Sequence, residues 1–182
     1  MDDMVRLFSS DGLSRKAAIF DPKKLEWMNG QHLSRASAER LLPVVARAFA
    51  AAGLADQAAI DARRDWFITL IDLLKIRART IDDVVRQATP FLRDDISYDP
   101  EAVEKQWKDR AATVTILAAT RDGLANMGDW SPAGLEELLR HLAESLGLSG
   151  GKVFQPLRVA LTGLTVSPGI FDVLLTLGRE RS

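Results

Sequence analysis

One short pattern recurs four times along this chain and limits its fold more than any other feature. Phe20-Asp21-Pro22, Tyr98-Asp99-Pro100, Trp130-Ser131-Pro132 and Val166-Ser167-Pro168 each set an apolar residue before an Asp or Ser and then a proline. Three positions after each proline stands another apolar residue: Leu25, Val103, Leu135 and Phe171. An Asp or Ser oxygen accepts from the free amides of a first helical turn, and proline at the first helical position loses no hydrogen bond there. The apolar pair can then pack across the helix start as a staple. Four of the seven prolines therefore read as helix starts. A chain punctuated in this way is built from helices.

The segments between these starts carry helical periodicity. Residues 5–8 read as a helix tail closed by Ser10-Asp11-Gly12, and residues 13–18 lead into the first capped start. Beyond Pro22, Leu25 and Met28 share a face, Lys24 points outward, Gly30 offers a stop and His32 falls in the following turn. Ser34 or Ser37 opens a helix through Leu41 and Leu42; Pro43 should break or kink it before residues 44–51 resume. Asp56 to about Lys75 reads as one helix whose apolar stripe holds Trp66, Phe67, Leu70, Ile71, Leu73 and Leu74. Thr80-Ile81-Asp82-Asp83 is a capping box with Asp in place of Glu, opening a helix to about Ala88. A long helix after Pro100 would align Val103, Trp107, Ala111 and Val114, and one after Pro132 would align Leu135, Leu138, Leu139, Leu142 and Leu146. Residues 155–162 form a short helix ending at Gly163, and the last helix carries Phe171, Leu174, Leu175 and Leu177. The expected fold is all-α, with about nine to eleven helices and no repeat of fixed period.

Composition removes several function classes. There is no cysteine, so neither a disulfide framework nor a Cys-based zinc site can form, and the two histidines, His32 and His141, are far apart. No apolar run approaches the roughly 20 residues of a membrane span, and the Met-Asp-Asp-Met start lacks the basic character of a signal peptide. The expectation is a soluble, cytoplasmic protein without metal. No Gly-rich phosphate loop is present: Ser149-Gly150-Gly151-Lys152 follows no strand and has the wrong spacing. Pairs such as Asp94-Asp95 face no candidate base, so no catalytic residue is assigned. Arg63, Arg64, Lys75, Arg77 and Arg79 gather in one region. They read either as a solvated helix end or as a nucleic-acid contact, since a net charge of -1 leaves room for a local basic patch.

Three stretches go beyond what local rules require. Phe20-Asp21-Pro22-Lys23-Lys24-Leu25-Glu26-Trp27-Met28-Asn29 resembles the F-D-x-x-K-L-x-W-x-N signature in the stem-contact region of bacterial glutamyl-tRNA synthetases. Arg77-Ala78-Arg79-Thr80-Ile81 is similar to that family's R-x-x-T-[LI] junction between a long helix and the next. Pro156-Leu157-Arg158-Val159-Ala160-Leu161-Thr162-Gly163, with Ser167-Pro168-Gly169-Ile170-Phe171 and Leu177-Gly178-Arg179-Glu180-Arg181, resembles its P-L-R-x-A-L-T-G, [ST]-P-G-[LI]-[FY]-[DE] and L-G-K-E-R stretches. The three occur in the family's order and span nearly the whole chain.

The resemblance implies a multi-helical anticodon-binding cage. Residues 1–35 would end the stem-contact region, and residues 36–99 and 100–182 would form two helical subdomains. The family's nucleotide fold, with its H-I-G-H-like motif and K-M-S-K-[SR] loop, has no counterpart here. The chain is thus expected to be the C-terminal part of a synthetase, inactive alone, needing no cofactor itself; the whole enzyme uses ATP and Mg. Expected partners are tRNA-Glu and the missing catalytic domain, with no membrane, and the expected state is a monomer. Arg77 matches the arginine that reads the third anticodon base. A guanidinium suits the O2 and N3 acceptors of cytosine and opposes the N1–H and N2 donors of guanine, which implies preference for glutamate over glutamine anticodons. Ser167, Pro168 and Ile170 match the loop that surrounds the other anticodon bases. Arg158, as a phosphate contact or an internal salt bridge, and Gly169 and Arg79 are further candidates for tRNA contact. Trp27 and Asn29 would hold the stem-contact helix against the cage. A stand-alone helical protein-interaction module is the alternative, which an apolar groove between Arg77 and the Ser167 loop would favour.

Overall fold

The structure, a computed structural model, describes Arg6 and residues 19–182. Apart from Arg6, which is helical, the helix tail expected at residues 5–8 and the approach at 13–18 lie outside the described residues. Ten α-helices and a closing 3-10 turn make up the rest, with no strand among the described residues. Helix α1 (Pro22–Arg35) is capped by Asp21, whose carboxylate accepts from the amides of Lys23 (2.9 Å) and Lys24. Gly30 does not end it. The helix runs on through His32, and Gly30 lies against the chain at residues 78–79, where an added Cβ would sit in ordinary contact, 3.4 Å from Ala78 O and Arg79 Cα. Asn29, one residue earlier, donates from its amide to Arg79 O. Asn29 thus ties helix to cage, while Trp27 is 57% exposed and holds nothing there.

Ser37 caps α2 (Ala38–Ala51), which passes through Pro43 without breaking. Pro43 and Glu39, whose carbonyl loses its amide partner, both lie on the exposed side, where water satisfies the freed group. The single helix expected from Asp56 to Lys75 is two. Asp56 caps α3 (Gln57–Ala62), the chain turns at Arg63, and α4 (Arg64–Lys75) follows. Arg63 leaves helical geometry (φ −129°, ψ 36°), and its guanidinium stacks over Trp66 at 4.1 Å. Helix α5 (Ile81–Leu92) opens on the Thr80–Asp83 capping box and continues past Pro90.

Asp99 and Ser131 cap α6 (Pro100–Gln106) and α8 (Pro132–Ser145), with proline at the first position of each. The long helix expected after Pro100 is interrupted. Trp107 turns out of helical geometry to donate its indole N–H to Pro156 O (3.3 Å), and Asp109 caps a new helix, α7 (Arg110–Asn126). The restart rotates the stripe, so Thr113 and Ile116 are buried and Val114 is exposed. Helix α9 (Gly150–Thr162) begins five residues earlier than its periodicity suggested and ends at Gly163 in the left-handed region (φ 71°). Helix α10 (Ile170–Leu177) and a 3-10 turn at Arg179–Arg181 close the chain.

Helices α2, α4 and α5 pack on one another with α1 and α3 beside them; α9 packs against α6, α7, α8 and α10 and also meets α5. A continuous apolar core runs through both groups, from Leu33 and Phe49 through Phe67 and Phe91 to Leu139, Leu157 and Leu174. Polar ties reinforce the joint. Arg181 donates to Phe91 O and Arg93 O (both 2.5 Å), and the Trp66 indole donates to Thr176 O. Among the described residues no helix is long and apolar enough to cross a membrane.

Candidate functional site

A cleft of about 180 Å³ lies between the middle of α5, the connection that precedes it and the loop after Gly163. It is lined by Arg77, Arg86, Gln87, Asp99, Leu164, Thr165 and Val166. Its first wall is the connection from α4 to α5. Lys75, at the end of α4, bonds Asp72 (2.5 Å) and donates to Ala36 O (2.6 Å), so that cation is spent on structure. Arg77 is different: it is exposed, and among the described residues no carboxylate pairs with it.

Asp83 sets the shape of that connection. Its Oδ2 accepts from the amides of Arg79 (3.0 Å) and Thr80 (3.1 Å), its own amide bonds the Thr80 hydroxyl, and its Oδ1 accepts from Arg86 (2.9 Å). Burial alone would raise the pKa of Asp83. The hydrogen bonds from Arg79, Thr80 and Arg86 outweigh it and hold the carboxyl below the usual aspartate range. The backbone around Arg79 is therefore fastened from two sides, by Asp83 and by Asn29, while the Arg79 side chain stays exposed.

The second wall is the 163–169 loop. Ser167 does not cap the last helix, and Pro168 is not its first residue. Helix α10 starts at Ile170 with Gly169 before it and no side-chain cap. Ser167 is instead buried (4% exposed) against Arg158, whose Nη1 donates to Ser167 Oγ (2.5 Å), Ser167 O (3.0 Å) and Pro168 O. A charged guanidinium nitrogen that already bonds the Ser167 and Pro168 carbonyls takes this hydroxyl as a further acceptor. The apolar–Asp/Ser–Pro pattern that marks three helix starts elsewhere here marks an arginine-pinned loop. Pro168 and Ile170 are buried, Gly169 is half-buried, and Val166 is the exposed apolar side chain of the loop.

Arg158 directs its Nη1 hydrogen bonds to the loop and, among the described residues, forms no ion pair. Burial, and behind it the positive charge of Arg77, lowers its pKa from the usual arginine value. Arg77 lines the cleft together with Leu164, Thr165 and Val166, and Arg158 holds the Ser167–Pro168 segment that follows them, so the α4–α5 connection and the 163–169 loop, far apart in sequence, come to one side of the molecule. Sequence reading missed Arg86, Gln87 and Asp99. For Gln87 a signal existed: Val84, Gln87, Ala88 and Phe91 share one helical stripe, and Gln87 is its polar member.

The cleft offers guanidinium donors from Arg77 and Arg86 beside amide and carboxylate acceptors, a set suited to the polar edge of a planar ligand. Among the described residues no group of three or more His, Asp or Glu side chains could hold a metal ion.

Comparison with known proteins gives an independent result. The model of the anticodon binding domain family matches residues 36–182. The chain is 38% identical over 181 residues to glutamate–tRNA ligase 2 of Koribacter versatilis, covering 100% of this chain and 37% of that protein. It is 35% identical over 182 residues to the glutamate–tRNA ligase of Desulforudis audaxviator, covering 99% and 36%. Among solved structures, a glutamate tRNA ligase from Elizabethkingia meningosepticum in complex with its amino acid superposes with a TM-score of 0.77 at 27% identity, over 99% of this chain and 34% of that one. The chain spans little more than a third of the length of the relatives it matches.

Proposed function

The chain belongs to the anticodon-binding domain family, and we propose that it is the tRNA-binding part of a cytoplasmic glutamate–tRNA ligase, monomeric and reading the anticodon of tRNA-Glu. The observation that carries this reading is the convergence of Arg77 and the Ser167 loop on one side of the molecule, coupled through Arg158. Arg77, exposed and without a carboxylate partner among the described residues, is the residue proposed to face the third anticodon base. The loop of Ser167, Pro168, Gly169 and Ile170 takes the other bases through its backbone, because the side chains of Ser167, Pro168 and Ile170 are buried. Arg158 acts by holding this loop in shape, and Arg79 supplies charge to the RNA backbone. The cleft is polar and positively charged rather than apolar, which favours RNA over a protein partner at this surface.

Residues 1–35 are proposed as the end of the stem-contact region, and residues 36–99 and 100–182 as two subdomains of the cage. The chemistry of ligation, with ATP and magnesium, belongs to a catalytic part outside this chain. The segment entering the first helix and the start of that helix offer a seat for that part: Ile19 and Phe20 before it are 92% and 74% exposed, with Leu25, Trp27 and Met28 within it also open. Apolar surface of this extent on one short segment is covered in a larger assembly.

The test is binding of the purified chain to tRNA-Glu and tRNA-Gln transcripts at low and moderate salt, with Arg77→Gln alongside. A preference for tRNA-Glu that shrinks in the variant supports the reading. Equal binding to both tRNAs, or none at low salt from a folded chain, overturns it.

A further inference from the structure

The end of α1 and the first turn of α2 border a second cavity, of about 330 Å³. Leu33 and Leu41, both buried, line it together with Asn29 and with His32, Arg35 and Arg40, which are all exposed. No carboxylate is among the lining residues. Neither arginine is used by the fold: among the described residues neither guanidinium forms an ion pair or a hydrogen bond within the chain. Arg35 ends α1, where a cation suits the helix dipole, but Arg40 lies in the first turn of α2, where the dipole opposes one. Two guanidinium groups lining one cavity repel each other, and an anion between them would answer both.

The cavity adjoins the cleft at Arg77 through one short connection. Asn29, which lines the cavity, donates to Arg79 O, and Arg79 Cγ stands 3.4 Å from a Cβ built at Gly30. Arg77, which lines the cleft, precedes Arg79 by two residues, or at most about 7 Å of chain. Cleft and cavity therefore flank the same few residues.

We propose that the α1–α2 cavity is a phosphate subsite, in which Arg35 and Arg40 clamp the backbone of the RNA whose anticodon is read at Arg77 and His32 adds an imidazole donor. This inference rests on the RNA-binding function proposed above. It adds an affinity that is blind to base identity, because phosphate contacts position a nucleic acid and base contacts specify it. The planar guanidinium fork matches the oxygens of a phosphodiester. An acidic protein segment would also answer two arginines, but the adjoining cleft favours a ligand that carries bases as well as charge.

The experiment measures binding to a tRNA-Glu transcript, and to the same transcript with its third anticodon base changed from cytosine to guanine, across a salt series. The proteins are the unaltered chain, Arg35→Gln, Arg40→Gln, the double variant and Arg47→Gln. Arg47 is exposed on α2, two turns beyond Arg40 and outside the cavity, and controls for loss of charge alone. Arg35→Gln and Arg40→Gln should each reduce the slope of log affinity against log salt by about 0.7–0.9, and the double variant by about twice that. Both RNAs should weaken by the same factor, so the preference for cytosine survives. Arg47→Gln should leave the slope unchanged. The thermal midpoints should match that of the unaltered chain, since both side chains are exposed and the Ser37 cap bonds the backbone amide of Arg40. A slope unchanged in the double variant, or reduced as much by Arg47→Gln, overturns the proposal while anticodon reading stands. So does an unchanged slope with lost affinity for poly-glutamate, which would give the cavity to an acidic protein segment. If the unaltered chain binds neither RNA at low salt, the RNA-binding function itself fails, and this subsite with it.

Discussion

Replacing Gly163 with alanine should be among the most damaging single-methyl additions to this protein. Gly163 ends α9 at φ 71°, a left-handed conformation that costs an L-residue about 1–2 kcal/mol. An added Cβ would also stand 2.2 Å from Ser97 O and 3.1 Å from Ile96 Cγ2. Backbone cannot swing aside as a side-chain tip can, so the two chains must separate, at about 1–3 kcal/mol. The bond from the Asp99 amide to Gly163 O (2.9 Å) joins the same two chains and weakens with them. The expected loss is about 2–5 kcal/mol, or roughly 4–20 °C in thermal midpoint for a chain of this size. Gly147 supplies the control. Its φ is 65°, and a Cβ there meets nothing within 4 Å, so Gly147→Ala should carry the conformational cost alone. Urea denaturation of both variants separates the two contributions. Because Asp99 and the 164–166 loop line the cleft, Gly163→Ala should also weaken RNA binding, as Gly147→Ala should not. Equal destabilisation by the two variants would refute the close approach at Ser97.

Three further outcomes are expected. Asp83 has a native pKa below its unfolded one, so its contribution is complete above the unfolded value and is lost as pH falls through the native value. Asp83→Asn should therefore cost about 1 kcal/mol at neutral pH and progressively less in acid, as urea titrations across pH would record. Ser167→Ala removes one acceptor of the Arg158 guanidinium in a buried setting and should cost about 1–3 kcal/mol by equilibrium denaturation, without shortening α10, because Ser167 is not its cap. Trp27→Ala should change the stability of this chain by less than about 0.5 kcal/mol, since the indole is largely in water.

Much of the fold was legible because its helix starts obey local chemistry. Asp21, Asp99 and Ser131 cap as written, and Thr80 with Asp83 closes a capping box even with the shorter acid. What failed depended on distant partners. Trp107 leaves its helix for a carbonyl on α9, Gly30 sits mid-helix with the residue 78–79 backbone in contact, and Ser167 accepts from Arg158 nine positions earlier. Pro43 does not break its helix for a simpler reason: it and Glu39, whose carbonyl it leaves free, both lie on the solvent side. For the site, family resemblance drew attention to Arg77 and the Ser167 loop, whereas local periodicity treated them as a helix end and a capped turn. The remainder of the cleft became visible only when α5 and α9 were packed together. Gln87 was within reach of periodicity, as a polar residue in the stripe of Val84, Ala88 and Phe91.

The central claim is that Arg77 reads one base of an anticodon. Its most direct measurement is the affinity of the unaltered chain and of Arg77→Gln for a tRNA-Glu anticodon stem-loop and for the same RNA with its third anticodon base changed from cytosine to guanine. The unaltered chain should prefer cytosine by about 1–3 kcal/mol, and the variant should lose that preference while its salt dependence drops by roughly one phosphate-like contact or less. A preference that survives in the folded Arg77→Gln chain, or one that is absent from the unaltered protein, would contradict the account.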